Sequence, residues 1–142
     1  MLRLPRNLYL EMVAHCIAGL PDEACGLVAG VAGSDAVERL YPASNASASA
    51  RVYTVEPRDL LAADKDAERA GLELIGVYHS HTHTDAFPSP TDIAQAPDPG
   101  WHYVLVSLRD THPVVRSYRI TGDRADEESV VVLGQRSLPV PA

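Results

Sequence analysis

His79-Ser80-His81-Thr82-His83-Thr84-Asp85-Ala86-Phe87-Pro88-Ser89-Pro90-Thr91-Asp92 is the stretch on which the reading of this chain turns. It follows the apolar run from Leu72 to Tyr78, in which Leu74, Ile75, Val77 and Tyr78 favour a pleated, packed backbone, so a buried strand is predicted there. Side chains alternate along a strand. Continuing this one through His79 and His81 sets both imidazoles on one face, roughly 6–7 Å apart along the backbone. Downstream, Ser89 suits a helix N-cap, Pro90 the first helical position, and Asp92 the third, where the helix dipole favours a carboxylate. Each piece has a purely structural explanation, since Ser-x-x-Asp matches a capping box and a single His-x-His is commonplace. Together they offer more. Two neutral imidazoles and a carboxylate are the makings of an open zinc site, with three protein ligands and a fourth position left for water. An open position points to catalysis rather than scaffolding.

With 142 residues and 46% hydrophobic content, the chain is expected to form one domain around one core. A formal net charge of −7 excludes the basic footprint of a nucleic-acid binder, and no run of Lys and Arg suggests an anionic membrane surface. No apolar stretch reaches membrane-spanning length. Arg3, Arg6 and Glu11 interrupt the segment a signal peptide would need, so a cytoplasmic location is expected. The two cysteines, Cys16 and Cys25, are expected to be reduced and buried rather than paired.

Outward from the central stretch, the periodicity of Leu8 to Ala18 predicts an amphipathic helix ending at Gly19, with His15 at its surface or edge. Ala24 to Ala29 reads as a buried strand entered directly from Glu23, with Val37 to Tyr41 as its hairpin neighbour across Gly33-Ser34-Asp35. Pro42 to Ala50 reads as a loop and Val52 to Val55 as strand-like. Pro57 opens a helix to about Ala70, stopped by Gly71. Tyr103 to Leu108 and Val114 to Ile120 are strong strands, and Gly122-Asp123 turns into a last segment, Ser129 to Leu133. This order implies an α/β (α+β) domain: a mixed central β-sheet flanked by helices, over residues 1–133, with a mobile tail from 134 to 142.

Glu23 upstream, then His79-x-His81, seven residues, Ser89, two residues and Asp92, resemble the signature of the JAMM metalloproteases, the MPN-plus domains. The flanks Pro21-x-Glu23-x-Cys25-Gly26-Leu27 and Tyr78-His79-Ser80-His81 are similar to the prokaryotic branch of that family, and most of all to the actinobacterial Mec-type hydrolases of CysO-cysteine. The likeness runs from the first helix to Val130-Val131-Val132. It implies a single JAMM/MPN-type domain with His79, His81 and Asp92 as Zn2+ ligands, Glu23 as general acid/base and Ser89 as support for the oxyanion. It also implies a substrate: the amide after the Gly-Gly tail of a ubiquitin-like sulfur carrier protein, with cysteine or a lysine amine as the leaving group.

The chain is too short for the insertions by which eukaryotic JAMM deubiquitinases grip two ubiquitins. His83 is expected in a loop or on the substrate side, because Thr84-Asp85 and Pro88 end the strand. Two rivals are weaker. A thiol hydrolase built on Cys25 would need a reactive thiolate in an apolar strand, where burial makes a thiol inert. A non-catalytic carrier-binding module would have no use for a metal.

Overall fold

The strand predicted before His79 spans Glu73–His81 and runs unbroken through both histidines. In this computed structural model residues 1–134 are described. Along the chain the elements are β1 (Leu2–Pro5), α1 (Arg6–Ala18), β2 (Cys25–Gly30), β3 (Arg39–Ala43), α2 (Pro57–Arg69), β4 (Glu73–His81), α3 (Pro90–Ala94), β5 (His102–Ser107), β6 (Val114–Thr121), β7 (Arg124–Glu128) and β8 (Val130–Leu133). Six strands form one sheet in the order β3-β2-β4-β5-β6-β7, and β1 pairs with β8 in a separate two-stranded sheet. Within the large sheet only β4 and β5 run parallel; β2–β3, β2–β4, β5–β6 and β6–β7 are antiparallel.

That single parallel pair positions the site. A chain leaving β4 must travel back along the sheet before β5 can begin, which needs a crossover rather than a tight turn. The crossover here is the segment carrying Ser89, α3 and Asp92.

The sheet is covered on both faces, so its middle strands are nearly continuous in apolar character. Period two sorts their side chains. Val28, Tyr78, Val104 and Val106 pack with Leu2 and Leu4 of β1 and Met12 and Cys16 of α1. Leu27, Val77, Leu105, Tyr118 and Ile120 pack on the other face with Ala63 of α2. His79 and His81 continue the row of Val77, so their imidazoles emerge on the α2 face where that row leaves the core. Gly26 is required by the opposite face: a Cβ there would collide with the Tyr78 ring.

Differences from expectation lie at edges and ends. β3 starts two residues late and includes Pro42, which an edge strand tolerates because one side of its backbone needs no donor. Of Val52 to Val55, only Val55 makes a bridge, to Asn45. β1 was not anticipated, nor was β7, whose Arg-Ala-Asp-Glu-Glu sequence lacks apolar alternation because it closes the sheet with one side in solvent. His15 is half-buried at the edge of the helix, its Nδ1 2.7 Å from the Tyr78 hydroxyl. Both cysteines are buried and free, as expected. No described helix is long and apolar enough to cross a membrane. Apart from Gly134, the expected tail lies outside the described residues.

Candidate metal and catalytic site

At the end of β4 three donor atoms face one another. His79 Nε2 and His81 Nε2 are 3.2 Å apart, and Asp92 Oδ2 lies 3.2 Å from the first and 3.1 Å from the second. Among the described residues these are the one group of three or more His, Cys, Asp or Glu side chains converging closely enough to hold a metal ion. The triangle fits zinc: ligand atoms at 2.0–2.1 Å around a tetrahedral centre stand about 3.3 Å from each other. The donor set of two imidazoles and one carboxylate fits as well.

Neighbouring groups aim each of the three side chains. His81 Nδ1 lies 2.8 Å from the Asp85 carbonyl oxygen, which can only accept, so Nδ1 carries the proton and Nε2 presents its lone pair to the triangle. The His79 ring stacks on Tyr53, centroids 4.1 Å apart. Asp92 is held by the start of α3. Ser89 Oγ accepts the Asp92 N–H at 3.0 Å, and the Ser89 N–H donates to Asp92 Oδ2 at 2.8 Å, a reciprocal capping box. The same oxygen that completes the cap therefore points at both imidazoles.

Electrostatics follow from burial and these contacts. Burial alone would raise the Asp92 carboxyl, but its close contacts with the His79 and His81 rings and the hydrogen bond from the Ser89 amide outweigh it and hold the group well below the usual carboxylate range. Burial lowers His79. At His81 burial pulls downward too, yet Asp92, the Asp85 carbonyl and Glu23 together raise it.

Glu23 is 5% exposed and stands where the chain enters β2. Its backbone is clamped on both sides: the Glu23 N–H donates to the Ser49 carbonyl at 2.7 Å, and Asn45 Nδ2 donates to the Glu23 carbonyl at 2.9 Å. Next to it, the Ala24 N–H donates to Ser80 Oγ at 2.8 Å, so the residue between the two histidines fastens β2 to β4. Glu23 Oε1 is the one buried side-chain oxygen or nitrogen among the described residues without a hydrogen-bond partner. Burial pushes the carboxyl up to about 7, with His81 opposing and Asp92 adding to the rise. A buried acid without a partner, poised near neutrality, is suited to taking and returning a proton.

Two hollows flank the triangle. A polar cavity of about 610 Å³ is lined by Glu23, Arg51, His81, Thr82, His83 and Ser89, among others. An apolar groove of about 280 Å³ touches Asp92 and is walled by Leu27, Tyr53, Val55, Leu60, Val77 and Trp101. All five residues singled out from the sequence thus lie around one end of β4. His83 is exposed and stands outside the triangle. Cys25 is fully buried with its thiol donating to the Ser44 carbonyl at 3.6 Å, and burial pushes its pKa up to about 12, which leaves it unreactive.

Sequence reasoning missed Tyr53 and Asn45. Asn45 is the hub of the loop over the site: its Nδ2 donates to the Val52 carbonyl at 3.1 Å, and its Oδ1 accepts the N–H groups of Ser47 and Thr54 at 3.0 Å. The available signal was an Asn in a small, polar segment, where its side chain characteristically mimics a backbone turn.

Residues 5–121 match the family described as prokaryotic homologues of the JAB domain. The CysO-cysteine peptidase of Mycobacterium tuberculosis (strain ATCC 25618 / H37Rv) is 45% identical over 130 residues, which cover 91% of this chain and 89% of that protein. A Thermus thermophilus protein named "Probable TtuB-protein conjugate cleaving protease" is 43% identical over 96 residues, covering 67% of this chain and 63% of that one. Among solved structures, the solution structure of protein DSY2949 from Desulfitobacterium hafniense superposes with a TM-score of 0.86 at 38% identity, over 95% of this chain and 94% of the other.

Proposed function

This chain belongs to the family of prokaryotic JAB-domain homologues, the prokaryotic JAMM hydrolases, and from that premise we propose that it is a zinc-dependent peptidase acting on a ubiquitin-like sulfur carrier. The bond cut is the amide after the carrier's Gly-Gly tail, and the group released is cysteine. The observation that carries this reading is the triangle of two Nε2 atoms and one Oδ2 beside a buried carboxylate that lacks a partner. It is supported by the relative named for CysO-cysteine, at 45% identity over 130 residues.

In this reading His79, His81 and Asp92 hold the zinc. When bound, zinc supplies Lewis acidity and makes water available as a nucleophile near neutral pH. Glu23 takes the proton of the attacking water and hands it to the departing amine. The Ser89 hydroxyl supports the oxyanion. Its oxygen already accepts the Asp92 N–H, so its proton is free to be donated, and capping and catalysis do not compete. The carrier's tail lies extended in the apolar groove.

A second reading keeps the site and changes the leaving group to a lysine amine of a tagged protein. The Thermus relative, named for cleaving protein conjugates, supports it.

Mass spectrometry of a Gly-Gly-tailed carrier extended by one cysteine tests both. Loss of the cysteine with untreated protein, but not with chelator or with Glu23→Gln, is expected. An intact carrier in the presence of zinc-loaded protein would sink the cysteine-releasing reading.

A further inference from the structure

We propose that the polar cavity seats the leaving group and that Arg51 there reads a free α-carboxylate, so that the bond cut joins the carrier's tail to a free amino acid rather than to a protein lysine. The inference rests on the hydrolase reading above and specifies the substrate on the far side of the bond. A general acid must reach the departing nitrogen, so the leaving group lies on the side of Glu23. Glu23 and Ser89 line the polar cavity, whereas the apolar groove meets the site at Asp92. The two hollows are therefore not interchangeable.

Arg51 is the one Lys or Arg side chain lining that cavity, in a chain of net charge −7. Among the described residues it makes no ion pair, as is also true of Arg3, Arg6, Arg58, Lys65 and Arg69, but none of those lines the cavity beside Glu23 and Ser89. Its backbone is held in place: the Arg51 N–H donates to Ser49 Oγ at 3.1 Å, and the next carbonyl accepts from Asn45. An exposed cation whose backbone is held in the loop and whose side chain has no carboxylate of its own, beside a site that releases an amine, is placed for a ligand that brings one. The guanidinium offers parallel N–H donors in the fork that a carboxylate matches. An amino acid released from its α-amine carries such a carboxylate two bonds from the departing nitrogen. A lysine side chain carries none.

The test compares kcat/KM for two carriers that differ only at the terminus, one ending in cysteine with a free carboxylate and one in cysteine carboxamide. With zinc-loaded wild type, the carboxylate form is expected to be favoured by about tenfold to a hundredfold, chiefly through KM, as one charge-assisted pair provides. Arg51→Gln should abolish most of that preference and Arg51→Lys should keep part of it. Affinities of both uncut carriers for Glu23→Gln protein should show the same ratio independently of turnover. Equal cleavage of acid and amide, or a preference untouched by Arg51→Gln, would overturn the subsite alone. Equally efficient cleavage of a lysine-linked conjugate would do the same. Failure to cut any of the three would overturn the hydrolase reading, and the subsite with it.

Discussion

Two buried polar clusters stand at opposite ends of β4 and β5, and only one of them leaves a polar atom unsatisfied. In the parallel register Gly76 faces His102 and His81 faces Ser107, so the clusters are about 16 Å apart along the strands. At the far end, His102 Nδ1 meets Glu128 Oε2 at 2.7 Å, and Ser117 Oγ donates to the same oxygen at 2.8 Å. Glu128 Oε1 takes the Met1 amine at 3.0 Å and Arg119 Nε at 3.5 Å, while Asp35 pairs with Arg119 and His102. Acceptors there are matched by donors. At the near end three potential ligand atoms converge on one another and Glu23 Oε1 has no hydrogen-bond partner. Histidines and carboxylates occur in both, so residue type does not mark the site. What marks it is a hydrogen-bond inventory left incomplete by the protein itself.

The sharpest way to break this contrast is to neutralise one acid at each end. Glu23→Gln is expected to lower kcat by about 10²–10⁴-fold with metal content unchanged, read by steady-state kinetics and elemental analysis. Glu128→Gln should leave kcat alone and destabilise the fold by about 1–3 kcal/mol, measured by denaturant unfolding, because it removes an acceptor shared by buried His102 and Ser117.

Ser89→Ala should fall between them, losing about 3 kcal/mol of transition-state stabilisation and about 1 kcal/mol of stability. Unchanged turnover would remove Ser89 from the oxyanion role.

Titration should separate Glu23 from Glu128 by sign. Burial pushes the Glu128 carboxyl up, but His102, Ser117 and the amine pull it down to about 2. Its contribution is therefore present above the unfolded value near 4.5 and is lost as pH falls from there through 2. Glu23, raised to about 7, works the other way. In metal-free protein the contribution of Glu23 is lost as pH rises from about 4.5 to 7, on the order of 1–2 kcal/mol after allowance for solvent screening. In unfolding free energies at pH 5 and 8, Glu23→Gln should erase that loss, and Glu128→Gln should not.

The near cluster was legible in the sequence because its order is local. Alternation fixes the facing of His79 and His81, and a capping box fixes Asp92 relative to Ser89. Glu23 is remote in sequence and was found by resemblance together with its place at the mouth of an apolar strand. The far cluster was invisible, since residues 1, 35, 102, 117, 119 and 128 obey no spacing rule and meet only through tertiary packing. The same holds for Tyr53 and Asn45. β1 and β7 escaped notice because a four-residue strand and a polar edge strand carry too little periodicity to stand out.

α3 is five residues long, far below the length at which a helix persists unaided in water. Its one capping carboxylate is also the oxygen turned toward the two imidazoles. Under the proposed ligand role, cation occupancy and the local folding of this turn become a single linked equilibrium. Stripping the cation should then register as faster amide hydrogen exchange in the crossover around α3 while the β2–β4 ladder stays protected. The crossover would behave as a hinge latched by its own cargo.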